Sequence, residues 1–80
     1  MKTLDLHGIQ HAEVESQVID FAYKTEAPFK IVTGNSRRMK DLVIQVLTRF
    51  ELHAYEESDH NLGALIVVER RGILPKTTIH

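Results

Sequence analysis

Hydrophobic and polar residues alternate from Lys2 to His7, with Leu4 and Leu6 on one side and Thr3, Asp5 and His7 on the other. A period of two predicts a half-buried strand, and Gly8 ends it. From His11 to Thr25 the period changes. Val14, Val18, Phe21 and Ala22 fall on one face of a helix and leave Glu13, Glu15, Gln17 and Asp20 on the other. Glu13 and Glu15 lie in the first turn, where carboxylates complement the partial positive charge of the helix N-terminus. Pro28 disfavours the α region at Ala27 and so closes the helix.

Phe29 to Thr33 is a short aromatic and β-branched run that closes in Gly34-Asn35, which predicts a second strand and a turn. Ser36 is placed to cap a second helix running to about Phe50. The stripe of Met39, Leu42, Val43, Val46, Leu47 and Phe50 along it is the cleanest amphipathic pattern in the chain. Leu52 to Ser58 alternates only weakly, as suits an edge strand. The turn residues Ser58-Asp59-His60-Asn61 and then Gly63 lead into Ala64 to Arg70, a continuous apolar run expected of a central strand. The order is βαβαββ. Right-handed crossovers then place both helices on one face of a four-stranded mixed sheet, an α/β two-layer sandwich whose other face stays partly open. Residues 1–71 form a single domain, and 72–80 carry no strong pattern and read as a tail.

Composition narrows the class. At 80 residues, 42% hydrophobic with 4 Gly and 2 Pro, the chain has the balance of one small globular domain. Ten Lys and Arg against 11 Asp and Glu give a formal charge of −1, which argues against a nucleic-acid binder that works by bulk positive charge. Any anion site must therefore be local. The charges are in fact unevenly spread, with cations at the start of the second helix and acids on the first helix and around the third strand. The absence of Cys excludes disulfides, thiolate zinc sites and Cys nucleophiles. The longest apolar run, Ala64 to Val68, is far short of the ~20 residues of a membrane span, and no apolar run near Met1 reads as a secretory signal. A soluble, cytoplasmic protein with no membrane partner is expected.

Two places carry candidate chemistry. At the end of the first strand, Asp5 and His7 share a side, so a carboxylate and an imidazole come together on the open face. Such a pair suits general acid–base work, although a solvated Asp beside a surface His gives the same pattern. In Thr33-Gly34-Asn35-Ser36-Arg37-Arg38-Met39-Lys40, a strand runs through a Gly turn into a helix N-terminus, whose free N–H groups and dipole attract anions. Arg37, Arg38 and Lys40 oppose that dipole at about 0.3–1 kcal/mol each, a cost that a bound phosphate would offset. Three cations simply pointing into solvent are the alternative. With strands one and two as neighbours, both places lie at the carboxyl ends of the strands, where ligands of open α/β sheets settle.

Other candidates are weaker. His7 and His11 straddle a Gly turn instead of sharing a helix, which argues against a metal pair, and no metal site is assigned. Glu51, Glu56, Glu57 and Asp59 read as a solvated acidic edge, and Arg70 and Arg71 either extend a phosphate track or, the plainer account, form a charged strand end. His53, His60 and His80 read as surface residues, and Tyr23 and Tyr55 are too isolated to form a base-stacking platform.

Leu4-Asp5-Leu6-His7-Gly8 at the opening, Thr33-Gly34 closing the second strand and Gly63-Ala64 entering the last one resemble the Smr (small MutS-related) domain over roughly residues 3–69. The resemblance implies an α/β sandwich like the C-terminal domain of a bacterial translation initiation factor, and an association with nicking DNA or cleaving RNA. It implies catalytic roles for Asp5 and His7, and it matches Thr33-Gly34 to the first half of a motif in which His or Thr precedes Gly-x-Gly. Ser36 stands where that motif has its second Gly. The expectation is a nucleic-acid-binding domain and metal-independent endonuclease acting on RNA or DNA without sequence specificity. Gly8, Thr33, Gly34, Asn35, Ser36, Arg37, Arg38 and Lys40 would hold the backbone. If RNA is cut, His7 would take the 2′-hydroxyl proton while Asp5 orients its ring. No cofactor is expected, the sequence sets no divalent-cation requirement, and a protein partner would deliver the target. A non-catalytic nucleic-acid or phosphate-binding module and a protein-interaction domain are the alternatives.

Overall fold

Two strand–helix units followed by a hairpin build the chain: β1 (Thr3–Asp5), α1 (His11–Lys24), β2 (Phe29–Val32), α2 (Arg37–Arg49), β3 (Leu52–Ser58) and β4 (Asn61–Glu69). The computed structural model describes residues 1–58 and 61–70, with backbone alone at positions 61 and 62. The strands form one mixed sheet in the order β1-β2-β4-β3. β1 runs parallel to β2, and β4 runs antiparallel to both β2 and β3. The βαβαββ order, the edge position of β3 and the central position of β4 all agree with the sequence pattern.

Register puts the apolar residues of the two central strands on one face, since Phe29 lies opposite Val67 and Ile31 opposite Leu65. Val14 and Val18 of α1 and Met39, Val43, Val46 and Leu47 of α2 close over that face, together with Leu6, in a single buried cluster. Each such side chain contributes roughly 1.5–3 kcal/mol on burial. Phe21 packs edge-on against Phe29, with ring centroids 5.1 Å apart. The opposite face carries Thr3, Lys30, Ile66 and Tyr55 in one row across the four strands. There Lys30 reaches over β4 to Glu57, 3.0 Å away.

Three element ends differ from the pattern. β1 stops at Asp5, two residues early, because the Asp5 carboxylate accepts the backbone N–H of His7 at 2.9 Å and turns the chain. Leu6 remains tied to β2 through its N–H on the Val32 carbonyl, 2.8 Å. β4 begins at Asn61, three residues before the apolar run, because β3 offers partners as far as Ser58 and sheet pairing there overrides the turn preference of Asn61 and Gly63. The expected turn residues Asp59 and His60, with Arg71 and the tail 72–80, lie outside the described residues. Among the described residues no helix is long and apolar enough to cross a membrane.

Candidate functional site

Because β1 and β2 are parallel neighbours, the turns that leave their carboxyl ends lie side by side. The two turns match residue by residue. Gly8-Ile9-Gln10-His11 and Gly34-Asn35-Ser36-Arg37 each run from a left-handed glycine through one residue to an N-cap and the first helical residue. The glycines have φ +84° and +70°, a conformation that costs an L side chain roughly 1–2 kcal/mol. The His7 ring lies beside Gly34, where a Cβ would stand 3.6 Å from its Cδ2, an ordinary contact, so it is the backbone conformation that favours glycine there.

The end of β2 is clamped to β4. The N–H groups of Thr33 and Gly34 both donate to the Gly63 carbonyl, at 2.8 and 3.0 Å. The Thr33 hydroxyl, buried, donates to the carbonyls of Gly34 (2.8 Å) and Gly63 (3.3 Å). A side chain on Gly63 would press on the Gly34 backbone at 3.4 Å. Thr33 and Gly63 therefore shape the turn, and the Thr33 hydroxyl is engaged there and is not offered to a ligand.

Between the turns lies an open cleft of about 570 Å³, lined by His7 and His11 from one side and Asn35, Ser36 and Met39 from the other. The N-termini of α1 and α2 both meet it, and first-turn N–H groups have no partner within their own helix. At α2 the Ser36 hydroxyl accepts the Met39 N–H at 3.1 Å, as the sequence predicts. At α1 the Gln10 side chain makes no such cap. Arg37 and Arg38 are exposed at the start of α2, and no ion pair among the described residues engages either.

The expected site residues fare unequally. His7, Gly8, Gly34, Asn35 and Ser36 come together around the cleft, with Arg37 and Arg38 beside it. The hydrogen bond from Asp5 runs to the backbone of His7 and not to its ring, so Asp5 positions the histidine through the main chain. Lys40 departs furthest. Its side chain is only 8% exposed and is ion-paired at 3.3 Å with Glu56 of β3, so it holds α2 to the sheet and has no free charge for a phosphate. On the acidic edge, Glu56 and Glu57 stay exposed as the sequence suggests and each also takes a lysine. Arg70 follows β4, which runs antiparallel to β2, and so stands at the end of the sheet away from the cleft and extends no phosphate track.

The sequence weighs His11 only as a metal partner of His7 and sets it aside, yet the structure puts it in the lining of the cleft. The usable signal was its position, three residues after Gly8, as Arg37 is three after Gly34. Comparisons with family models, with curated proteins and with solved structures find no match to this chain.

Proposed function

We propose that this chain is a nucleic-acid-binding domain of Smr type, and that its cleft holds a phosphodiester for cleavage by His7. The observation that carries the reading is the convergence on one cleft of two helix N-termini and the His7 imidazole, with Arg37 and Arg38, exposed and in no ion pair among the described residues, in the first turn of the helix that borders it. Arg37 and Arg38 each oppose the α2 dipole, and a phosphate lying between them and the helix end removes that conflict. Thr33 and Gly34 have given their N–H groups to Gly63, and Met39 and Lys40 theirs to Ser36, so the amides that meet the phosphate are those of residues 35 to 38. The motif resemblance of Leu4 to Gly8 and of Thr33-Gly34 adds support from an independent direction.

In this reading Arg37 and Arg38 hold the backbone as charge-assisted donors, and the Ser36 hydroxyl keeps its own proton to donate while accepting from Met39. His7 acts as the general base at the scissile group, kept in place by the Asp5 turn. The readout is anisotropy and gel cleavage with labelled single-stranded RNA and DNA, with and without magnesium or EDTA. Arg37→Ala with Arg38→Ala is expected to raise Kd by about tenfold. His7→Ala is expected to abolish cleavage with Kd held within about twofold of the parent protein. Equal cleavage by parent and His7→Ala protein would remove His7 from the chemistry, and absence of binding at low salt would remove the nucleic-acid reading.

A further inference from the structure

We infer that His11 is the second catalytic group of the cleft, and that the substrate is RNA, cut by attack of its own 2′-hydroxyl. The inference rests on the nucleic-acid reading above and adds to it a residue, a substrate class and a product. Three observations carry it.

His7 and His11 line the same cleft although they belong to different local structures, one in the β1–α1 turn and the other in the first turn of α1. Both are exposed, and no hydrogen bond or ion pair among the described residues engages either imidazole. Both rings are therefore open to whatever lies between the two turns. Secondly, the repeated turn geometry gives His11 the place that Arg37 holds at the other helix. Of these two equivalent positions it is His11 that lines the cleft, so a phosphate held at the start of α1 has an imidazole beside it. Thirdly, the Asp5 carboxylate is committed to the His7 main chain, so His7 has no carboxylate partner on its ring and does not form the two-residue unit expected from sequence.

One imidazole moves one proton, whereas cleavage of an RNA linkage needs two moved at different oxygens. Neutral His7 takes the proton of the 2′-hydroxyl, and the 2′-oxygen forms a bond to phosphorus. The bond from phosphorus to the 5′-oxygen breaks, its electron pair stays on that oxygen, and protonated His11 supplies the proton. The products are a 2′,3′-cyclic phosphate and a free 5′-hydroxyl. Exchange with solvent restores both imidazoles. All atoms and charges come from the RNA and the two side chains, and a DNA linkage, which has no 2′-hydroxyl, is not cut by this route.

The test compares parent, His7→Ala and His11→Ala proteins at saturating protein concentration on two RNAs. One carries the ordinary linkage and the other a sulfur in place of the bridging 5′-oxygen, which departs as a thiolate without needing a proton. His11→Ala is expected to cut ordinary RNA about 100-fold more slowly, with Kd unchanged, and to return to within a few-fold of the parent on the sulfur substrate. His7→Ala stays slow on both. His11 is exposed at a helix start, so the variant is expected to keep the parent's urea midpoint, which is measured alongside. Parent-like cleavage of ordinary RNA by His11→Ala, an equal loss on both substrates, rescue of His7→Ala in place of His11→Ala, or equal cleavage of DNA would each overturn the inference. If the parent protein binds RNA and leaves it intact, the inference falls while the binding reading stands; if it binds neither nucleic acid, both fall.

Discussion

Asp5 bears on the proposed site through the main chain of His7 and not through its ring. Its carboxylate oxygen accepts the His7 N–H, ends β1 and presents the imidazole beside Gly34. Asn has the same acceptor without the charge. Asp5→Asn is therefore expected to keep the urea midpoint and to hold cleavage within a few-fold, whereas Asp5→Ala loses about 1 kcal/mol of stability and lets His7 swing away. Loss of cleavage in Asp5→Asn as deep as in His7→Ala would instead mean that the carboxylate charge acts on the chemistry. That Asp5 and His7 lie together at the carboxyl end of the first strand was legible from their spacing. Which atom of His7 the carboxylate meets was not, because strict alternation assumes a strand that runs through His7, and the chain turns before it. Lys40 teaches the converse, since its charge drew attention to it while its aliphatic stem and Glu56 hold it inside the fold.

At the scale of elements, the N-terminus of α2 carries both a stabilising cap and the arginines of the proposed binding site. Ser36 has φ −73° and ψ 116°, an extended conformation that any residue adopts, so a serine at the second glycine position of the motif introduces no strain. Its hydroxyl instead satisfies the Met39 N–H. Ser36→Ala is expected to lower unfolding free energy by about 1 kcal/mol, and Ser36→Gly by only a few tenths, both measurable by urea titration. Parent-like stability in Ser36→Ala would show the cap to be replaceable by water. The cap and the helix it starts were readable from one residue type and a 3.6-residue stripe, because both are local. The matching geometry of the two turns was not readable, since His7-Gly8-Ile9-Gln10 and Thr33-Gly34-Asn35-Ser36 share only the glycine. What makes them alike is backbone conformation, not side-chain identity.

For the molecule as a whole, a net charge of −1 leaves little long-range attraction for a polyanion. Under the proposed function, binding rests on Arg37, Arg38 and the helix ends, since the remaining lysines and arginines of α1, β2 and the rest of α2 are held in ion pairs: Lys24 with Asp20, Lys30 with Glu57, Lys40 with Glu56 and Arg49 with Glu15. Two phosphate contacts on a single strand predict a slope of about −1.4 in log K against log salt, so affinity falls about sevenfold between 50 and 200 mM. Arg37→Ala with Arg38→Ala flattens that slope toward zero. A slope near −5 in the parent protein would require contacts elsewhere on the surface, and a salt-insensitive interaction would point to a protein partner. So shallow a dependence also means modest affinity, which is consistent with delivery of the target by another protein.

The amino-acid sequence by itself determined the elements, their order, the edge and central strands, the cap of α2 and the glycines of both turns, because periodicity, capping and left-handed turns are decided within a few residues. Only the tertiary structure decided which charges stay free and which side chains share a cleft. Lys30, Lys40, Glu56 and Glu57 are drawn into pairs by strands and helices distant in sequence, and Gly63 meets Gly34 across a strand register. His11 reaches the site because the β1–α1 turn lies beside the β2–α2 turn, a neighbourhood created by parallel pairing of β1 with β2 and not by any local pattern.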